Sequence, residues 1–357
     1  MRGKRWSILV LAVSILTVTV SGCSSGNKEE TKGKTSGKVA YITGTGGLGD
    51  KSFNDLGYVG IETLMGEDVE CDVAEPQSIS EIEGIARNFA EDGNYALIIS
   101  MGGESVDSIS AVAADYPKQQ FMVVDGTAGV DNIKAVEVNQ NETGFLAGAY
   151  AAVLMKEGVV GDNNGKIVIG AVGGMDIPLI RGILTGFECG VHYVCPDAEV
   201  LTSYVGDWSD PSKASELTQA MYEQGANIVF QAAGSSGLGV IECAENKGQY
   251  AIGYDGNQNI LAPDHMVGSA IRGVASIIVE TAHDALAGKD VGGDYLVSLC
   301  DNEQASQILL DDVGIKIPDS VVEQYDHAKE ILLTGDHVVP SDRDGIDAFM
   351  KEIGQFE

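Results

Sequence analysis

The sequence lacks the residues on which most metal, redox and nucleic-acid chemistry depends. Five histidines and six cysteines occur among 357 residues. There is no Cys-x-x-Cys and no pair of histidines at ligand spacing, so a catalytic metal site is not expected. Basic residues are few: 22 Lys and Arg stand against 53 Asp and Glu, a formal net charge of −31. Such a surface repels nucleic acid and polyanions, although it does not exclude a small anion in a local pocket. The one Gly-x-Ser-x-Gly, Gly22 to Gly26, follows the apolar leader rather than a strand of the α/β pattern, and no dense acidic metal motif occurs, so binding without chemistry is the better reading and no cofactor is expected. Beyond residue 20 no apolar run is long enough to cross a bilayer.

What is present begins with a leader. Arg2, Lys4 and Arg5 form a positive end, Ser7 to Val20 is apolar, and Val20-Ser21-Gly22-Cys23 closes it. Small residues before a cysteine are what lipid attachment at sulfur and signal removal require. Residues 1–22 are therefore expected to be a lipoprotein signal peptide and Cys23 the lipidation site. The product would be held at the cell membrane, on its extracytoplasmic face. Residues 23–37, rich in Ser, Gly, Lys, Glu and Thr, read as a flexible tether. The leader carries three bases and no acids, so its loss makes the chain more acidic still. Cys71, Cys189, Cys195, Cys243 and Cys300 remain, an odd set that cannot all pair internally; Cys189 and Cys195 are close enough in sequence to bridge.

The rest is organised around Tyr41-Ile-Thr-Gly-Thr-Gly-Gly-Leu-Gly-Asp-Lys-Ser-Phe-Asn-Asp55. Val39 to Thr43 reads as a buried parallel strand, glycines follow at 44, 46, 47 and 49, and Ser52 is placed to cap a helix starting Phe-Asn-Asp. Together these make a mouth at the carboxyl edge of a sheet, where open α/β folds bind small molecules. Gly44, Gly46 and Gly49 match the dinucleotide fingerprint G-x-G-x-x-G, whereas the phosphate-loop pattern fails because Asp50 separates Gly49 from Lys51. The glycines can equally serve tight turns alone. Asp50 puts a carboxylate where a phosphate cradle needs cations, and Phe53 with Asn54 suits a neutral heterocycle better than a pyrophosphate.

Strand and helix signals then alternate. Strands are predicted over 69–74, 95–101, 121–124 and 133–138, with helices over 80–92 and 105–116 between them. After a long helix from Glu142 to Lys156 and a turn at Asp162-Asn-Asn-Gly165, the pattern repeats. Strands are predicted near 166–172, 200–205, 227–232 and 250–254, and Asp210-Pro211 opens one of the helices between them. This is an α/β chain with two doubly wound parallel-sheet lobes. The first is expected over 38–140 with a returning piece at about 265–305, the second over 141–264 with about 306–357. Several crossings make a hinge rather than one flexible linker.

Four ordered segments carry a resemblance: Gly49-Asp-Lys-Ser-Phe-Asn-Asp55, Gly173-Gly-Met-Asp-Ile-Pro-Leu-Ile-Arg181, Tyr204-Val-Gly-Asp-Trp-Ser-Asp-Pro211 and Ala232-Ala-Gly-Ser-Ser-Gly-Leu-Gly239. From about Lys38 to near Gly288 the chain resembles the basic membrane protein family of purine nucleoside-binding lipoproteins that serve ABC importers. The resemblance implies a type I periplasmic-binding-protein fold, with three crossovers and the ligand enclosed at the hinge.

Phe53 and Trp208 end loops in opposite lobes and could stack a planar base between them; in the family, aromatics here resemble a clamp. Asn54 offers a donor and an acceptor, and Asp125 an acceptor, for a base edge. Asn54 could instead cap its helix and Asp125 serve a turn with Gly126. Asp255, Gly234 and Arg272 are the candidates for the sugar hydroxyls. The family pattern has Lys where Arg272 stands, a change of reach and fork geometry. It often has Asp where this chain has Gly44, so no ligand role is assigned to Gly44. The expected function is capture of a nucleoside and delivery to an ABC permease by a lipid-anchored monomer. The alternatives are a surface or sensory lipoprotein binding another planar solute, and an exported nucleotide-using enzyme. The lipobox, and the lack of a helix-turn-helix before Lys38, exclude a cytoplasmic repressor.

Overall fold

The computed structural model describes residues 37–161, 165–354 and 356. The signal peptide, Cys23, the tether to residue 36 and Asp162, Asn163 and Asn164 of the expected turn lie outside the described residues. In chain order the first half holds β1 (Lys38–Ile42), α1 (Phe53–Gly66), β2 (Cys71–Ala74), α2 (Ile79–Asp92), β3 (Tyr95–Met101), α3 (Val106–Asp115), β4 (Gln120–Val124), β5 (Ile133–Val138) and α4 (Gln140–Lys156). The second holds β6 (Val168–Gly173), α5 (Pro178–Val194), β7 (Glu199–Tyr204), α6 (Pro211–Glu223), β8 (Ile228–Ala232), α7 (Leu238–Lys247), β9 (Tyr250–Tyr254) and β10 (Met266–Arg272). There follow α8 (Val274–Leu286), β11 (Gly293–Val297), β12 (Ser306–Leu309), α9 (Asp319–Leu333) and α10 (Ile346–Ile353).

The described strands form two six-stranded sheets, β11-β5-β4-β3-β1-β2 and β12-β10-β9-β8-β6-β7. All pairings are parallel except β10 with β12. Their central strands are mostly apolar, as parallel strands buried on both faces are: β1 reads Val39, Ala40, Tyr41 and Ile42, all 0% exposed. The fold class is therefore the expected two-lobed α/β architecture.

The chain crosses between the sheets at β5–α4, at β10–α8 and between β11 and β12. The second crossing corrects the sequence reading. Met266–Arg272, expected to return to the first lobe from about residue 265, is a strand of the second sheet beside β9. The return begins only with α8, whose Val274, Ile278 and Ala282 pack with Leu56, Ile61 and Leu64 of α1. Of α4, Phe145 through Met155 are buried, and a Cβ on its Gly148 would lie 2.0 Å from the Phe187 carbonyl oxygen of α5. That backbone contact fixes the crossing helix to the second lobe.

The bridge that the sequence left open between Cys189 and Cys195 does not form, and all five cysteines from Cys71 onward are free. Cys189 lies within α5 and Cys195 caps its end. Six residues of helix advance by about 9 Å, beyond the reach of a disulfide.

Candidate functional site

Strand carboxyl ends of both lobes open into one cavity of about 470 Å³. The first lobe contributes the Gly44–Gly46 loop after β1, Asp50, Phe53 and Asn54 at α1, Gly102–Glu104 after β3 and Asp125 after β4. The second contributes Ile177–Ile180 at α5, Trp208 after β7, Gly234 and Ser235 after β8, Tyr254 and Asp255 at β9 and Arg272 ending β10. The volume suits one small organic molecule. All seven ligand candidates named from the sequence, Phe53, Asn54, Asp125, Trp208, Gly234, Asp255 and Arg272, line it.

Arg272 is its centre. Its Nη1 donates to both Asp125 oxygens at 2.8 and 2.9 Å, and its Nε donates to Asp255 Oδ1 at 2.6 Å. Asp125 comes from the first sheet and Asp255 from the second, so one guanidinium ties the lobes together. The pairs are almost dry, with side-chain exposures of 1% for Arg272, 7% for Asp125 and 6% for Asp255. Burial opposes the arginine's charge, but the two carboxylates more than restore it. Burial also pushes the Asp255 carboxyl up to about 6, against the pull of Arg272. The guanidinium carbon lies 5.4 Å from the Phe53 ring centroid and 5.6 Å from that of Tyr254, which adds cation–π attraction. Asp125 and Asp255 both sit in the left-handed region, with φ of 63° and 69°. Asp tolerates that region through its short polar side chain, and such strain concentrates at functional sites.

The lobes also meet behind this pair. Ser52 Oγ donates to the Tyr254 carbonyl at 3.2 Å and to Asp255 Oδ2 at 3.5 Å. A Cβ on Gly256 would stand 2.7 Å from the Lys51 carbonyl oxygen, so only glycine permits the approach.

Ser52 therefore does not cap α1 with its side chain, contrary to the sequence reading. Asp50 does: its oxygens accept the N–H groups of Ser52, Asn54 and Asp55 at 2.9, 2.9 and 3.1 Å. The local φ/ψ at Ser52 (−141°, −123°) turns its hydroxyl toward the other lobe instead. Asn54 lines the cavity, but its amide first holds the loop. Oδ1 accepts Gly44 N–H at 2.7 Å, and Nδ2 donates to Asp50 at 2.9 Å. Three further amides of the loop are occupied by carboxylates: Leu48 N–H by Glu75, and Gly49 and Lys51 N–H by Asp55. A loop that binds phosphate needs those donors free; here the chain's own carboxylates fill them.

Trp208 is half-buried, and its ring lies over Gly174, where a Cβ would come within 2.4 Å of it. Sequence reasoning missed Glu104, Gln140, Tyr254 and the Ile177–Ile180 wall. Glu104 stands on the turn after β3, and its Oε1 lies 3.8 Å from where a side chain at Gly44 would begin. A glycine pair after a strand, Gly102-Gly103, was the available signal for that turn. Gln140 and Tyr254 come together only through folding.

Residues 38–302 match the family described as ABC transporter substrate-binding protein PnrA-like. The chain is 28% identical over 364 positions to the ABC transporter nucleoside-binding protein BmpA of Lactococcus lactis subsp. cremoris, covering 95% of this chain and 99% of that one. It is 27% identical to basic membrane protein D of Borreliella burgdorferi, covering 95% and 97%. Among solved structures, an ABC transporter system solute-binding protein from Aeropyrum pernix K1 superposes with a TM-score of 0.77 at 22% identity, covering 89% of this chain and 97% of that one.

Proposed function

Because the chain belongs to the family of PnrA-like ABC transporter substrate-binding proteins, we propose that it captures a purine nucleoside in the interlobe cavity and hands it to a membrane permease. One observation carries this reading. Phe53 and Trp208, from opposite lobes, share a cavity with an arginine already neutralised by two carboxylates. A neutral, planar, hydrogen-bonding ligand fits such a site better than a phosphate ester, since Asp50, Glu104, Asp125 and Asp255 outnumber the lone Arg272 among its lining residues. In this reading Phe53 and Trp208 stack on the base and Asp125 and Asn54 meet its edge. Asp255, Arg272 and Gly234 hold the sugar. The BmpA relative is named a nucleoside-binding protein, which favours the same ligand class.

Closure then buries the ligand, and the permease recognises the closed form. The carboxylates serve as acceptors, with binding and no turnover. Cys23 carries the lipid that keeps the monomer at the extracytoplasmic face of the membrane.

The test is calorimetric titration of the full-length protein, stripped of retained ligand, with adenosine, guanosine, inosine, uridine and the matching free bases. Tight binding of a purine nucleoside without product is expected; no binding, or turnover, overturns the reading. Trp208→Ala should weaken binding at least about tenfold, the loss of one stacking contact. Unchanged affinity would remove the clamp.

A further inference from the structure

Gln140 is the first residue of α4, where the chain leaves the first sheet for the second lobe. It lines the cavity and is 4% exposed. Its Oε1 accepts the Tyr254 hydroxyl at 3.1 Å, which orients the amide. Its Nε2 is buried and has no hydrogen-bond partner. Buried amide donors are nearly always satisfied, and an exception beside a cavity calls for an acceptor that enters it. The position tells which part of a ligand that acceptor belongs to. Tyr254 immediately precedes Asp255, and the Arg272 guanidinium lies over the Tyr254 ring. Gln140 thus stands at the end of the cavity where Asp255 and Arg272 meet.

We propose that Gln140 is a further ligand-binding residue, whose Nε2 donates a hydrogen bond to a hydroxyl oxygen of the nucleoside's sugar. This rests on the nucleoside reading above. A hydroxyl suits the place because it can accept from Gln140 while donating to a carboxylate such as Asp255.

Gln140→Glu tests the donor. It keeps an acceptor for the Tyr254 hydroxyl and replaces the N–H groups by an oxygen that repels a hydroxyl's lone pairs. The full-length wild type and Q140E are titrated with the nucleosides and the matching free bases, and their melting temperatures are compared. The expected result is a loss of tenfold or more for the nucleoside and less than threefold for the base. Equal affinities of the two proteins for the nucleoside overturn the Gln140 assignment and leave the nucleoside reading intact. Equal losses for nucleoside and base overturn the sugar contact. A wild type that binds no nucleoside overturns both. Should Q140E fail to fold, the wild type labelled with ¹⁵N-glutamine decides. The Gln140 side-chain amide signal should shift on saturation with the nucleoside and stay within noise with the base; no shift with either overturns the proposal.

Discussion

β4 in the first sheet and β9 in the second hold the same place in the strand order, and each is followed by an Asp-Gly pair with the Asp at positive φ. Asp125 and Asp255 are thus counterparts, and both grip Arg272. The helices that follow β1 and β6, the counterpart first strands, differ. Asp50 takes two N–H groups of the first turn of α1, those of Asn54 and Asp55, and that of Ser52 just before it. α5 starts with Pro178, has no side-chain cap, and brings Ile177, Leu179 and Ile180 to the cavity. The first lobe therefore presents a polar rim that has already satisfied itself. The second presents an apolar wall, and its Arg272 reaches across to Asp125. The same strand order gives one lobe that is pre-organised and one that supplies the latch.

The largest effect expected from breaking this arrangement is that of Arg272→Met. Removing the shared cation leaves Asp125 and Asp255 buried without a partner, at a cost of about 3–5 kcal/mol in stability. Denaturant unfolding measures it. A loss under about 1 kcal/mol would mean that solvent reaches the carboxylates and the latch is not dry.

Next is the pH response of Asp255. Its folded pKa of about 6 lies above the usual value of 3.8. Between those values the folded state holds a proton that the unfolded chain has released. This contribution to stability is complete below the lower value and is lost as pH rises through the upper one. Wild type should accordingly gain stability relative to Asp255→Asn on acidification from pH 7 to pH 4, read from paired urea titrations. Parallel pH profiles would show that Asp255 is ionised throughout.

The smallest effect belongs to the pre-organised lobe. Asp50→Ala removes the cap of α1 at about 0.5–2 kcal/mol. Hydrogen exchange should speed up in the first turn of α1 and stay unchanged in α5. Equal acceleration in both helices would break the distinction between the lobes.

The sequence by itself determined the alternation of parallel strands and helices, because continuous apolar runs bounded by glycine and Asp-Gly leave few other structures. It also placed Phe53, Asp125, Trp208 and Asp255 in the loops after strand carboxyl ends, where α/β folds gather their ligands, and the four ordered segments pointed to the family, whose pattern singled out Arg272. Three things were decided only by tertiary structure. Met266–Arg272 could join either sheet by its own pattern, and its pairing with β9 settled which. Asp50 and Ser52 both carry capping oxygens two residues apart, and the backbone angles at Ser52 gave the cap to Asp50 and sent the serine across to Tyr254. Gln140 became an unpaired buried donor because its acceptor oxygen met a tyrosine 114 residues away. Local propensity is written in neighbouring residues; a hydrogen bond across a hinge depends on where two lobes come to rest.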